Sequence, residues 1–176
     1  MLLERQPVNR PARSGTLFPR QINLLGVSNW FFPYFGADTG FVRYTITGNI
    51  LYLGFLLGDL DSKIVVDSAI AMDLSSKETQ VVANRSNSRL QVKKIMIDKG
   101  VIKHLIFYHD PFEIAILEVK DGSWIPYHNH PKGIAEIYVD ISNHNFERCF
   151  SDEYHCLENF SGETKLVLAV KYPDRF

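Results

Sequence analysis

From Gly40 onward the apolar residues fall into short continuous or alternating runs, and between the runs stand residues that reverse a chain. The punctuation reads Thr47-Gly48-Asn49, Gly58-Asp59-Leu60-Asp61, Asn84-Arg85-Ser86-Asn87, Asp98-Lys99-Gly100, His109-Asp110-Pro111 and Lys120-Asp121-Gly122. Each supplies Gly, Asn, Asp or Pro where the backbone must turn. Few windows hold a 3.6-residue period, so the pattern is one of strands. The expected strands are Phe41–Thr47, Ile50–Leu57, Lys63–Met72, Gln80–Ala83, Leu90–Ile97, Val101–His109, Phe112–Val119, Trp124–His128, Ile134–Ile141, Glu147–Phe150 and Leu166–Tyr172. Met72–Lys77 is the one segment with room for a short helical turn. Many short strands at this spacing predict an all-β sandwich or barrel.

A chain of 176 residues with 45% hydrophobic and 22% charged residues can bury one good core, and the default is a single domain. Nineteen basic residues against 20 acidic ones give a formal charge of -1. No global field draws the chain to nucleic acid or to an anionic membrane, so a small-molecule partner is expected. The longest apolar run, Ile50–Leu57, is interrupted by Gly54 and is far short of the roughly 20 residues that span a bilayer. The first 21 residues carry Arg5, Arg10, Arg13 and Arg20 with Pro7, Pro11 and Pro19, and read as a loosely ordered basic arm rather than an address signal. Cys149 and Cys156 are too few for a disulfide framework, so reduced thiols and a cytoplasmic setting are expected.

Chemistry concentrates late in the chain. Of the six histidines, His128, His130, His144 and His155 lie in the last third. In an extended strand His128 and His130 project from one face, so both imidazoles can converge on one ion. Pro131-Lys132-Gly133 then turns the chain, and Glu136 opens a strand that shares its face with Tyr138 and Asp140. His155 supplies a third imidazole. Three nitrogens and one oxygen suit one divalent Fe, Mn, Ni, Co or Zn ion with positions open to water or substrate. The alternative is a His-x-His pair on an exposed strand with Glu136 as a surface acid. His104 and His109 fall on opposite faces of one strand run and stay outside the expected site, as does His144.

These residues resemble the two motifs of the cupin superfamily. In the first, Gly122, His128, His130 and Glu136 take the motif positions, with five residues rather than three or four before the glutamate, and Asn143 stands where the family has its final glycine. In the second, His155 and Asn159 match the functional end, while His144, Phe150 and Asp152 occupy the Gly, Pro and Gly positions. The resemblance implies a cupin-type double-stranded β-helix, a jelly-roll barrel, over 85–176 with the metal site. Residues 22–84 are then additional strands packed on the barrel, and the aromatic cluster Asn29–Gly36 is core or a subunit interface in a homodimer.

Strand parity adds substrate candidates. Trp124 shares the face of His128 by simple alternation, which would place its indole inside the barrel as a substrate wall or a core residue. Lys132 in the turn and Asn159 are further binding candidates, and Tyr138 is placed to orient Glu136 or to act as an acid. The expected function is metal-dependent isomerase, epimerase or lyase chemistry on a sugar or sugar acid, with Tyr138 and Glu136 catalytic. An Fe(II) dioxygenase and a non-enzymatic ligand sensor are the alternatives.

Overall fold

The computed structural model describes residues 2–5, 20–24, 27–33, 41–59, 64–84, 90, 93–110, 112–131 and 133–173. Fifteen strands account for most of them: β1 (Leu2–Arg5), β2 (Arg20–Leu24), β3 (Val27–Pro33), β4 (Phe41–Thr47), β5 (Ile50–Asp59), β6 (Ile64–Asp73), β7 (Thr79–Asn84), β8 (Lys93–Asp98), β9 (Val101–His109), β10 (Phe112–Val119), β11 (Ser123–His128), β12 (Ile134–Asp140), β13 (Phe146–Cys149), β14 (His155–Asn159) and β15 (Lys165–Pro173). Among the described residues no helix is long and apolar enough to cross a membrane. The all-β expectation holds, and the segment after Met72 is a turn whose amides at Ser75 and Ser76 are capped by Asp73 Oδ1 at 2.9 Å.

The chain divides into two compact units, Ala12–Ser88 and Met1–Pro11 with Arg89–Phe176. The first is a six-stranded antiparallel meander, β2-β3-β4-β5-β6-β7, each strand beside its neighbour in sequence. Register brings Val42 and Tyr44 opposite Phe55 and Leu53, and Leu53 and Leu51 opposite Ile70 and Met72. All seven are buried, which makes one face of this sheet apolar while Arg43 and Tyr52 alternate onto the other. Of the aromatic cluster, 29–33 run in β3, and 34–36 lie outside the described residues.

The second unit pairs its strands differently. β10 pairs with β15, β11 with β14 and β12 with β13, all antiparallel, so the chain from Phe112 to Pro173 is one long hairpin whose tip lies at 141–145. β12 also pairs with β15, which rolls the hairpin up. The result is a six-stranded sheet, β13-β12-β15-β10-β9-β8, and a three-stranded sheet, β1-β14-β11. Val101, Leu117, Val119, Tyr138, Val167 and Ala169 of the large sheet and Leu157 of the small one form a single core, with Ile125 packed against it. Nested hairpin pairing around one core is the connectivity of a jelly roll. Part of the expected N-terminal arm is a barrel strand, since Leu2–Arg5 pairs with Glu158–His155 at the edge of the small sheet.

The motif turns keep their shape where glycine has been replaced. Gly122 and Gly133 have φ of +72° and +88°. His144 and Asp152, at the two glycine positions of the second motif, have φ of 62° and 66° although neither is glycine. The left-handed residue at the tip is therefore His144, one place beyond the expected Asn143, whose side chain instead accepts a 2.9 Å hydrogen bond from the Asn145 amide.

Candidate metal centre

β14 escapes sequence reading because its segment, His155-Cys-Leu-Glu-Asn, is too short and too polar to stand out. It becomes a strand through its partners on both sides. His155 stands directly opposite His128 in the β11–β14 register, and Leu157, two residues on, lies in the core, so His155 faces inward. His130 follows two residues after His128, just past the end of β11, where the turn is closed by Ile134 N donating to Pro131 O at 3.1 Å. Across the core, Glu136 projects from β12 on the face of Tyr138.

One ligand atom from each of His128, His130, Glu136 and His155 lies within 4.8 Å of all the others. The ring centroids are 4.4 Å apart for His128 and His155, 5.0 Å for His130 and His155, and 5.1 Å for His128 and His130. Glu136 Oε2 is 2.5 Å from His130 Nε2 and 3.9 Å from His155 Nε2. His128 is partly exposed, and the other three are buried.

Second contacts decide which nitrogen each ring presents. His128 Nδ1 lies 2.8 Å from the Pro126 carbonyl and His155 Nδ1 lies 3.0 Å from the Glu153 carbonyl. A carbonyl only accepts, so each Nδ1 carries the proton and each Nε2 is left with its lone pair. His130 Nε2 and His155 Nε2 are buried and neither makes a well-directed hydrogen bond, although Glu136 Oε2 crowds the first. Two buried nitrogens without a well-directed hydrogen bond, converging with a carboxylate, are what a cation bound among them would satisfy. The residues present thus fit a divalent ion.

Protonation favours the same occupant. Burial pushes the Glu136 carboxyl up, but its contacts with His130 and His155 and the nearby Lys171 charge outweigh that and hold it well below the usual carboxylate range. Burial pulls His128 below the ordinary imidazole value, against the opposing pull of its bond to Pro126. The Tyr138 hydroxyl donates to Glu136 Oε2 at 2.7 Å, and burial together with that negative neighbour pushes its pKa far up. Tyr138 keeps its proton and fixes the orientation of Glu136.

Three substrate candidates fare differently. Trp124 does not line the interior. Ile125 pairs with Leu157 and His128 with His155, three steps on β11 against two on β14, so a bulge lies between them. The extra residue brings Ile125 and His128 onto one face and turns Trp124 outward, where it is 50% exposed beside Lys99, Asp121 and Pro126. Asn159 is buried and its amide is occupied: Nδ2 donates to the carbonyls of Val119 (2.8 Å) and Glu163 (2.7 Å), and Oδ1 accepts from Ser161 N (3.1 Å) and Oγ (2.7 Å). It ties together the turns at the end of the barrel and offers nothing to a ligand. Lys132 lies outside the described residues.

The interior holds charges that the motifs did not signal. Lys103, Glu113 and Lys171 lie on the face of the large sheet that carries Leu117, Ala169 and Tyr138, and Glu136, Lys171 and Glu113 occupy one register row on β12, β15 and β10. The available signal was a lysine closing an otherwise apolar run, Leu166-Val-Leu-Ala-Val-Lys171.

No protein-family model and no curated protein matches the sequence. Among solved structures the chain is similar to KdgF from Halomonas sp., with a TM-score of 0.41 and 11% identity, over 51% of this chain and 96% of that one. It is also similar to the cupin domain of Schizosaccharomyces pombe Cnp3, with a TM-score of 0.33 and 15% identity, over 70% of this chain and 88% of that one. The assignment of the fold rests on the nested strand pairing and on the four converging side chains.

Proposed function

We propose that this cupin-type jelly roll is a metal-dependent enzyme that carries out isomerisation, epimerisation or elimination on a small polar metabolite, a sugar or sugar acid. The observation that carries the reading is the convergence of four donor atoms within 4.8 Å, with the buried Nε2 atoms of His130 and His155 turned toward the ionised Glu136 and lacking well-directed hydrogen bonds. His128, His130, Glu136 and His155 would hold a divalent ion, which would supply Lewis-acid polarisation of a substrate carbonyl or carboxylate. The protein's part is to fix the donors. The carbonyls of Pro126 and Glu153 set the imidazole tautomers, and Tyr138 holds one Glu136 oxygen while remaining a protonated donor. Tyr138 is thus a positioning residue acting through Glu136. Tyr138 is itself anchored in the apolar core with Leu117, Val119 and Leu157.

The test is elemental analysis of untagged protein, wild type against the double variant His128→Ala/His130→Ala. Near-stoichiometric metal in the first and background metal in the second is expected. Equal background metal in both after reconstitution with each candidate ion would replace the enzyme by a metal-free binding module. On the metallated protein, proton exchange or elimination without oxygen uptake is expected, and oxygen consumption with Fe(II) would convert the reading to a dioxygenase.

A further inference from the structure

A jelly-roll interior is ordinarily apolar, and a charged side chain on its inner face is retained only if it is paired or wet. Three such side chains lie together here. Lys103 Nζ is 2.7 Å from Glu113 Oε1, and Lys171 Nζ is 3.3 Å from the same oxygen. Their side chains are 17%, 13% and 24% exposed for Lys103, Glu113 and Lys171, so they are neither sealed in the core nor on the open surface. Two ammonium groups on one carboxylate leave one positive charge over, and the other acid of that register row, Glu136, would be committed to the bound cation.

Its location gives that charge a role. Lys171 is the register partner of Glu136 on one side and of Glu113 on the other. Adjacent strands are spaced at about 4.8 Å, so the lysine backbone is one strand away from the carboxylate ligand. The Lys171 charge reaches Glu136 and helps to keep it ionised, yet the lysine's ammonium pairs with Glu113. Glu113 in turn takes its shorter bond from Lys103. Lys171, the more exposed and more loosely held of the two, is therefore held beside the metal centre with hydrogen-bonding capacity to spare, since an ammonium has three donors.

We propose that Lys171, poised by Glu113 and Lys103, is the subsite for a carboxylate of the substrate, so that the site takes sugar acids or similar hydroxy acids in preference to neutral sugars. The inference rests on the reading of His128, His130, Glu136 and His155 as a metal centre, and narrows its substrate class. A carboxylate on Lys171 would place the hydroxyl or carbonyl carbons of a short acid toward the four ligands, and the half-desolvated setting strengthens the ion pair over one in open water. A purely structural cluster would be indifferent to ligand charge.

The experiment uses the full chain loaded with Zn(II), with metal content measured alongside calorimetric titration of D-glucuronate and D-glucose, which differ at the carboxylate. Wild type is expected to bind glucuronate at least about tenfold more tightly than glucose. Lys171→Met, compared with wild type at equal Zn(II) loading, should lose that preference, Lys171→Arg should restore most of it, and Glu113→Gln, by removing the competing carboxylate, should tighten glucuronate binding severalfold. Glucuronate bound equally by wild type and Lys171→Met, or no preference for the acid in metal-loaded wild type, would overturn the proposal and leave the metal centre standing. Failure of wild type to retain Zn(II) would overturn both.

Discussion

Each unit of the chain contains a six-stranded antiparallel sheet, and among the described residues only one of them gathers metal-binding side chains. In the Ala12–Ser88 meander every strand lies beside its sequence neighbour, so contacts stay local, and the buried face collects apolar residues around the single serine Ser68 among the described residues. In the jelly roll the order β13-β12-β15-β10-β9-β8 interleaves distant strands, and His128 meets His155 while Glu136 meets Lys171. Nested pairing pays loop-closure entropy for those meetings and gains an interior with two facing walls. The meander segment contains no histidine, so it has no means of duplicating the site. Topology, more than composition, separates a sheet that only packs from one that can also bind.

The largest effect should follow from removing a facing-wall ligand. His155→Ala deletes the imidazole from the fully buried position opposite His128, and metal affinity should fall by more than about a thousandfold, since even losing a supporting contact costs 10–100-fold. Metal content of the purified protein by mass spectrometry checks it, and an unchanged stoichiometry would mean that the three remaining donors suffice. The counterpart in the meander is Leu53→Ala, at 1% exposure. It should cost roughly 2–5 kcal/mol of stability in denaturant titration. Metal bound per folded molecule should stay constant, and metal loss there would break the separation between a packing sheet and a binding one.

Within the site, Tyr138→Phe removes the 2.7 Å hydrogen bond to Glu136 Oε2 and keeps the ring in the core. Weakening of metal binding by about 10–100-fold is expected with little change in folding. Acidity should act in the same direction. The neutral imidazole is the ligand, and burial lowers the His128 pKa below its ordinary 6.5, so folded protein carries fewer protons there than unfolded chain. Stability from this group is complete above the unfolded value and is lost as pH falls through the folded one. Metal retention in dialysis should decline over that acidic window, and a pH-independent retention would remove His128 from the ligand set.

How much of this was legible follows from what each residue depends on. Phe41–Thr47, Val101–His109 and Phe112–Val119 were read to the residue, because there the apolar pattern and flanking turn residues mark the same boundaries. His128, His130, Glu136 and His155 could be grouped because their spacing resembles a motif, and the structure brings them together. The bulge before His128 was invisible, since strict alternation cannot show where a partner strand skips a residue, and Trp124 was misplaced as a result. β14 was missed because its pairing with β1 and β11 exists only in three dimensions. The same holds for the Lys103–Glu113–Lys171 cluster, assembled from three strands.

The smallest effects lie in left-handed turns, and they distinguish the two units once more. Lys77 in the meander has φ of 63°, and Asp152 before β14 has φ of 66°. A lysine there sets its Cβ against the following carbonyl at a cost of about 1–2 kcal/mol, whereas aspartate tolerates the conformation. Lys77 recovers part of the cost through its ammonium, which bonds the carbonyls of Leu74 and Ser75. Lys77→Gly should therefore leave stability level or raise it by less than about 1 kcal/mol, the relief of strain set against the lost bonds and glycine's greater freedom when unfolded. Asp152→Gly should gain less still. Asp152→Val should lose about 1–2 kcal/mol, because a β-branched residue resists positive φ, and should loosen His155 with it. Thermal melts with parallel metal titration read both quantities. If valine at 152 lowered the melting temperature without weakening the metal, the turn would be packing the barrel only; weakening of both would mean that the backbone conformation kept without glycine is part of how His155 is aimed.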